Sequence, residues 1–429
     1  MKKIFIYLLL IFPAMSRAQE NMHPSPPQTE TIALIHGVIH VGNGQVIEDG
    51  MIVFSGGKIV DVRPTAAITD VKVIDLKGKQ VYPGLISPIT NLGLTEVETS
   101  RPSNDYYELG EMNPGIRSLV AYNTDSKVIN VVRSNGILLA NIVPNGGLLS
   151  GSSSVVQLDA WNWEDAAYKK DNGIHFFMPS LIGPPLQSQH PGDPDPVKQN
   201  LDKIESVRVF FREAKAYFQE TSHAETNIKF EAVRGLFDQS KIFFVHCDLQ
   251  NEILIAIEMA KEFNFKLVLV NASECYLMTD LLKQNNVAVI LAKPASLPNT
   301  DDDDVDQPFK TAAVLQKAGI LFSICYESGM DYLHSRNLPF QAGVMAAHGL
   351  TKEEALSSVT LNAAKILGID QTTGSLEKGK DANIVVSEGD ILDMRTSIID
   401  LAFIKGRQID LNNKQTQLFE KYKYKYGIK

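Results

Sequence analysis

Apolar and polar positions along the chain follow two alternating patterns. Residues 31–82 hold short apolar runs broken by Gly, Asn and Asp, which predicts a β-meander, and a similar pattern returns at 382–387 and 398–405. Strands this short do not bury a core alone, so both chain ends are expected to close one small β-domain, 31–82 plus 376–408. Between them, β-like runs near 85–89, 137–143, 242–246, 266–271, 287–291 and 320–325 alternate with helical periodicity at 250–263, 276–284, 309–318 and 352–367. Repeated βα units with strongly apolar strands predict a parallel sheet covered by helices. The span 83–375 fits a TIM (β/α)8 barrel, so the expected fold class is α/β, a barrel with a small discontinuous β-sandwich domain from both chain ends. The alternation is interrupted at 183–196, a loop by composition, and at 197–219, a long charged helix; 409–429 is a C-terminal tail.

The N-terminus changes the picture. Lys2 and Lys3 precede an apolar run over 4–14, and Ser16 and Ala18 are the small residues of a cleavage site, so 1–18 reads as a signal peptide cut after Ala18. The run is short for a membrane span, and no cysteine follows it to take a lipid. A periplasmic or secreted mature protein is expected, with the Pro-rich stretch 19–30 as a linker. With 44% hydrophobic and 21% charged residues the chain is globular. Its net charge of −9 becomes −12 once Lys2, Lys3 and Arg17 are removed, which argues against nucleic acid or an anionic membrane as partner of the mature form. A small-molecule substrate or ligand remains; the oligomeric state is open. Cys247, Cys275 and Cys325 sit in or beside apolar runs and read as buried small hydrophobes rather than a disulfide framework.

Three motifs carry a family resemblance: Val81-Tyr82-Pro83-Gly84-Leu85-Ile86 entering the first barrel strand, Thr360-Leu361-Asn362-Ala363-Ala364-Lys365 followed by Leu367-Gly368, and Gly374-Ser375-Leu376-Glu377-Lys378-Gly379-Lys380-Asp381-Ala382-Asn383. With them the chain, from about 31 to 408, resembles the amidohydrolase superfamily, in particular its imidazolonepropionase-like branch. The resemblance implies a β-sandwich plus TIM barrel and hydrolysis of C–N bonds, often in cyclic amides, on one or two metal ions.

Ligand positions depart from that pattern. Similar enzymes carry Asp-x-His-x-His after Pro-Gly-Leu-Ile, since residues two apart on a strand share a face and hold one metal together. Here the two histidine positions are Ile89 and Asn91. At the fifth strand His246 keeps the ligand position, at the sixth Asn271 replaces a histidine, and at the eighth Glu327 replaces the aspartate that binds metal and takes the proton of the attacking water. Cys325, two residues before Glu327, shares its face if the strand stays extended, which would make a cluster of His246, Cys325 and Glu327. A catalytic zinc needs about three protein ligands, so the expectation is one divalent ion such as zinc, held weakly or not at all.

Other features offer further candidates. The segment 141–154 is dense in Gly and Ser and follows a β-like run, so Gly146, Gly147 and Ser150 are candidate substrate contacts through free backbone N–H groups, against a plain structural turn. Asn91 and Asn271 join them as rim amides, and Arg101 is placed to hold a substrate carboxylate, against a surface loop. No P-loop lysine follows the glycines, so no nucleotide cofactor is expected. Trp161 and Trp163 read as an aromatic wall or as core packing, the acids at 301–304 and 306 as a solvated loop, and the Lys/Tyr alternation at 421–426 as a frayed end. Two functions follow: an exported hydrolase of C–N bonds with a reduced metal site, using Glu327 for proton transfer, or an inactive relative that binds a small ligand.

Overall fold

The computed structural model describes residues 23–183, 195–220, 222–223, 225–292, 294–298, 303–326 and 331–428. The signal region with its cleavage site, Glu327, Asp301 and Asp302, and 184–194 of the predicted loop lie outside the described residues. Strands are numbered along the chain. In the first sheet, β1 (Ile32–His40), β2 (Val46–Ser55), β3 (Lys58–Pro64), β4 (Lys72–Asp75) and β5 (Gln80–Pro83) join β14 (Ile384–Ser387), β15 (Ile399–Ile404) and β16 (Arg407–Gln408). The two chain ends meet where β14 runs antiparallel to β5, from Ile384 opposite Pro83 to Ser387 opposite Gln80. One core of Leu34, Ile52, Phe54, Val81, Ile384 and Phe403 spans both segments, with the Phe54 and Phe403 rings edge-on at 5.1 Å.

The second sheet holds β6 (Leu85–Thr90), β7 (Ile137–Ile142), β8 (Leu149–Gln157), β9 (Ala167–Phe177), β10 (Ile242–Cys247), β11 (Leu267–Asn271), β12 (Ala288–Leu291) and β13 (Phe322–Ile324), paired in chain order. It curls into a nearly closed barrel. Alternate residues such as Ile86, Leu139, Val155, Phe244, Val270 and Ile290 fill the interior, and the residues between them pack outward on helices. The edges β6 and β13 are joined through one segment, where the Ile86 N–H donates to the Val359 carbonyl at 2.9 Å and the Ser323 hydroxyl donates to the Ser358 carbonyl at 2.6 Å. The parallel order predicted from the βα pattern has one exception: β8 is antiparallel to both neighbours. The stretch read as a Gly/Ser loop is therefore a hairpin plus a buried strand, because small side chains let Leu149–Gln157 lie between two strands with both faces covered.

Helices α1 (Lys127–Arg133), α2 (Pro196–Gln219), α3 (Ile228–Phe237), α4 (Gln250–Phe263), α5 (Thr279–Gln284), α6 (Gln307–Ala318), α7 (Leu338–Ala347), α8 (Lys352–Ser358) and α9 (Leu361–Leu367) surround the barrel. The predicted 352–367 helix is split at Val359 and Thr360, the segment that closes the barrel seam. The tail forms α10 (Lys414–Tyr426), begun by Asn413, whose side chain accepts from the N–H groups of Gln415 and Thr416. The described part of the predicted linker is tied down: Ser25 donates its N–H to Asp159 at 3.0 Å, and its carbonyl accepts from Arg407 at 3.0 Å.

His40 of β1 joins the two sheets' territories. Its Nδ1 lies 2.6 Å from Glu353 of α8, its Nε2 lies 2.9 Å from the Gln80 amide oxygen, and its ring stacks on Tyr82 at 4.5 Å. Burial alone would lower its pKa, but the bonds to Glu353 and Gln80 outweigh that and raise it above 6.5. The raised value means that His40 stabilises the fold fully below about pH 6.5, the unfolded value, and that this contribution fades as pH rises through the folded pKa. Replacing His40 by Ala should therefore cost about 1–3 kcal/mol at pH 5.5 and clearly less at pH 9. Urea unfolding of both proteins at the two pH values measures the difference, and an equal cost at both would refute an imidazolium clamp.

Candidate active site

The C-terminal ends of the barrel strands bring two histidines together. On β10 the inward positions are Ile242, Phe244 and His246; on β9 the outward Ile174 and Phe176 leave His175 and Phe177 facing in. Register sets Phe244 beside His175 and His246 beside Phe177, so each imidazole lies against the neighbouring strand's phenylalanine. His175 stacks on Phe244 at 4.6 Å and His246 on Phe177 at 3.9 Å. The two imidazoles then meet on the diagonal, His175 Nδ1 to His246 Nε2 at 2.9 Å, a hydrogen-bond distance.

Burial decides their charge. His246 is pushed down to about 3 by desolvation, and His175 is lowered well below 6.5 by burial and by its neighbour. Each neutral ring offers one N–H and one lone pair. His175 Nε2 has no partner among the described residues. One ring donates the shared proton and the other ring's lone pair accepts it, so the two neutral imidazoles satisfy each other across this contact.

Glu252 fixes the backbone just beyond. This buried carboxylate of α4 accepts from the N–H groups of Asp248, Leu249 and Leu181 at 2.8–3.1 Å, which pins the chain two residues after His246. His246 itself accepts from the Met178 N–H through its carbonyl at 3.0 Å.

The remaining candidates fall in different places. Ile89 belongs to the barrel-interior cluster with Ile86, Phe244, Val270 and Cys325, and is 3% exposed, so an apolar side chain fills the first-strand ligand position. The Asn91 amide oxygen is buried without a partner among the described residues, and so is that of Asn271. Asn271, at φ 70° just where β11 ends, lines a cavity of about 110 Å³ with Asp248, Ser273, Glu274 and Tyr276, which His246 does not line. Cys325 is fully buried in the interior. Among the described residues no three His, Cys, Asp or Glu side chains stand close enough to hold a metal, and Glu327, the third member of the expected cluster, lies outside them.

The glycine segment is tied to the loop before it. Three N–H groups that flank Gly146 and Gly147 are taken up there: Asn145 donates to Tyr106, and Leu148 and Leu149 both donate to Glu111 at 2.7–3.0 Å. A Cβ on Gly147 would sit 2.5 Å from the Gly110 carbonyl oxygen, at φ 70°, so this is a hairpin turn packed on backbone. Gly146 is the other turn glycine, at φ 120°, and the buried Ser150 hydroxyl donates to the Pro144 carbonyl at 2.9 Å. Arg101 is exposed on a short 3₁₀ turn and makes no ion pair among the described residues.

His175 and Asn141 were not singled out from sequence. Asn141 is fully buried beside the first strand, donating to the Pro88 carbonyl at 3.0 Å. The signal for His175 was the short run Gly173-Ile174-His175-Phe176-Phe177, obscured by the polar residues at 169–172.

The residues fit a resident metal only in part. His175 Nδ1 and His246 Nε2 are neutral imidazole nitrogens, the right donor type. Yet nitrogens on one tetrahedral zinc stand about 3.3 Å apart at ordinary bond lengths, and the 2.9 Å contact has to be broken before either binds. The described donors therefore do not complete a conventional zinc set.

Comparison with known proteins bears on the family. The profile of the Amidohydrolase family matches residues 213–412. An imidazolonepropionase of Streptococcus pyogenes serotype M1 is 24% identical over 394 residues, covering 84% of this chain and 90% of that enzyme. Among solved structures, an amidohydrolase from Thermotoga maritima MSB8 superimposes with a TM-score of 0.76 at 24% identity, over 88% of this chain and 99% of that one. An adenosine deaminase from Xanthomonas campestris with bound zinc does so with a TM-score of 0.53 at 14% identity, over 94% and 99%. The barrel with its separate sheet is the amidohydrolase fold, and the likeness noted in sequence is thereby supported.

The depressed histidines set an acid limit on the fold. Below about pH 6.5 the unfolded chain protonates both imidazoles while the folded chain leaves them neutral, His246 down to about 3, so stability falls as pH falls. A variant carrying both His175→Gln and His246→Gln should show a ΔG-versus-pH slope near pH 5 that is shallower by about 2–3 kcal/mol per pH unit. Chemical denaturation from pH 4.5 to 7 measures it; parallel curves would mean that the imidazoles are charged in the folded protein.

Proposed function

We propose that this chain, which carries an amidohydrolase-family domain, is an exported hydrolase of C–N bonds in small molecules, cyclic amides or acyl amino acids rather than ordinary peptides. The observation that supports the reading most is the His175–His246 pair inside the barrel at the C-terminal strand ends, where barrel enzymes assemble their sites. In this reading the imidazoles position the substrate's polar atoms, Glu327 moves the proton of the attacking water, and any divalent metal is held weakly. The reading of Glu327 rests on its place two residues beyond Cys325 in the sequence, at the aspartate position of the family it resembles. Export rests on the signal-like residues 1–18.

A second reading, an inactive binding protein on the same fold, is favoured by Ile89. An apolar side chain there supplies no lone pair, and a histidine held near 3 is a weak base at neutral pH. One experiment separates the two. Protein dialysed without metal is expected to hold well under one zinc per chain by elemental analysis, and to hydrolyse a cyclic amide or an N-acyl amino acid only when Zn²⁺ or Mn²⁺ is supplied. Glu327→Gln should lower that turnover by roughly 10²-fold or more. Absence of turnover with every metal and substrate of these classes would leave binding as the function.

A further inference from the structure

A second cavity lies outside the barrel wall, between α1, the end of β8 and the first turn of α10. It has a volume of about 610 Å³ and shares no lining residue with the histidine pair. Arg133, Lys127 and Lys414 bring cations to it, Tyr122 and Trp161 bring aromatic surface, and Asp125 is the acid at its edge that is not already paired with an arginine.

Arg133 is the unusual member. It is 5% exposed, yet it uses only part of its guanidinium within the protein: Nη1 donates to Asp159 at 2.9 Å and to the Leu158 carbonyl at 3.3 Å. Its Nε is buried with no partner among the described residues. Asp159 is already saturated, since its other oxygen accepts from Arg407 and from the Ser25 N–H, both at 3.0 Å. Two arginines thus share the Asp159 carboxylate, and burial disfavours the Arg133 charge, which Asp159 and, at longer range, Asp410 offset. A guanidinium takes a carboxylate through parallel hydrogen bonds from neighbouring N–H groups.

We propose that this cavity is a binding site for a small carboxylate with an apolar body. The carboxylate lies against the Arg133 guanidinium, Lys127 and Lys414 supply long-range attraction, and the apolar part lies along Tyr122 and Trp161. Trp161 is 67% exposed at the rim, surface that such a ligand would cover. The site is independent of any chemistry in the barrel.

Trp161 also supplies the readout, as one of only two tryptophans. Full-length protein titrated with N-acetyl-L-leucine is expected to show a saturable fluorescence change, with a Kd below about 1 mM, and N-acetyl-L-leucinamide, which lacks the charge, should give none. Arg133→Lys should weaken binding by roughly tenfold or more, and the Lys127→Ala, Lys414→Ala double variant should weaken it several-fold with unchanged melting. His246→Gln should bind as wild type does, by equilibrium dialysis. Should Arg133→Lys not fold, the lysine double variant and the acid-versus-amide comparison decide. Equal binding of acid and amide, loss of binding in His246→Gln but not in the Arg133 or lysine variants, or no saturable binding at all would overturn the proposal.

Discussion

Two imidazoles enclosed by phenylalanines at the end of an apolar barrel have little choice of state. Desolvation removes their charge, and once neutral each must match a donor to an acceptor or leave a polar atom stranded. The strand register supplies the match by setting His175 and His246 on a diagonal, and the phenylalanines opposite them hold the rings in plane. Much else in the candidate site follows. A neutral pair draws no anion by charge. The proposed chemistry therefore leaves proton transfer to the acid at 327 and positioning to the imidazoles.

The antiparallel third strand has consequences on both faces of the barrel. A parallel strand would need a helical crossover before it; β8 instead returns from β7 through a tight hairpin whose amides are tied to the 106–111 loop. At its other end β8 delivers Gln157 and Asp159 to the side where the two sheets meet. Arg407, on the last strand of the first sheet, donates to both of them, so the reversed strand is also the anchor between the two bodies. The same Asp159 carboxylate also takes Arg133 of α1, at 2.9 Å.

Legibility in the sequence tracked how local each signal is. The α4 helix reads directly because its apolar positions repeat at helical spacing, and the strands β6, β7, β10 and β11 because they are apolar throughout. β8 was hidden because serine and glycine resemble a loop by composition, and only the close approach of two neighbouring strands explains their burial. The polar first half of β9, 167–171, hid His175 in the same way. His246 and Ile89 were visible as residue types, but whether His246 met another donor depended on register between strands far apart in sequence. Arg133 looked like one more charged residue in a helix, since nothing in a helical pattern announces that a carboxylate 26 residues later is shared with a third strand.

The motifs that carry the family likeness do structural work in this molecule. Gly84 lies under Leu138, where a Cβ would come within 2.6 Å of its side chain, at the step from the first sheet into the barrel. Gly374, at φ 92°, packs against the backbone of Thr360 and Leu361, so the second and third motifs touch each other. Asp381 pairs with Lys58 at 2.6 Å and accepts from Tyr168 of β9, which fastens the first sheet to the barrel wall. Asn383 donates to Thr373 and accepts from the Lys405 N–H. None of these contacts reaches the histidine pair. They hold the junction between sheet and barrel, and a junction constrains the fold without dictating which side chains line the strand ends. The chemistry therefore has to be argued from His175, His246, Ile89 and Glu327, one residue at a time.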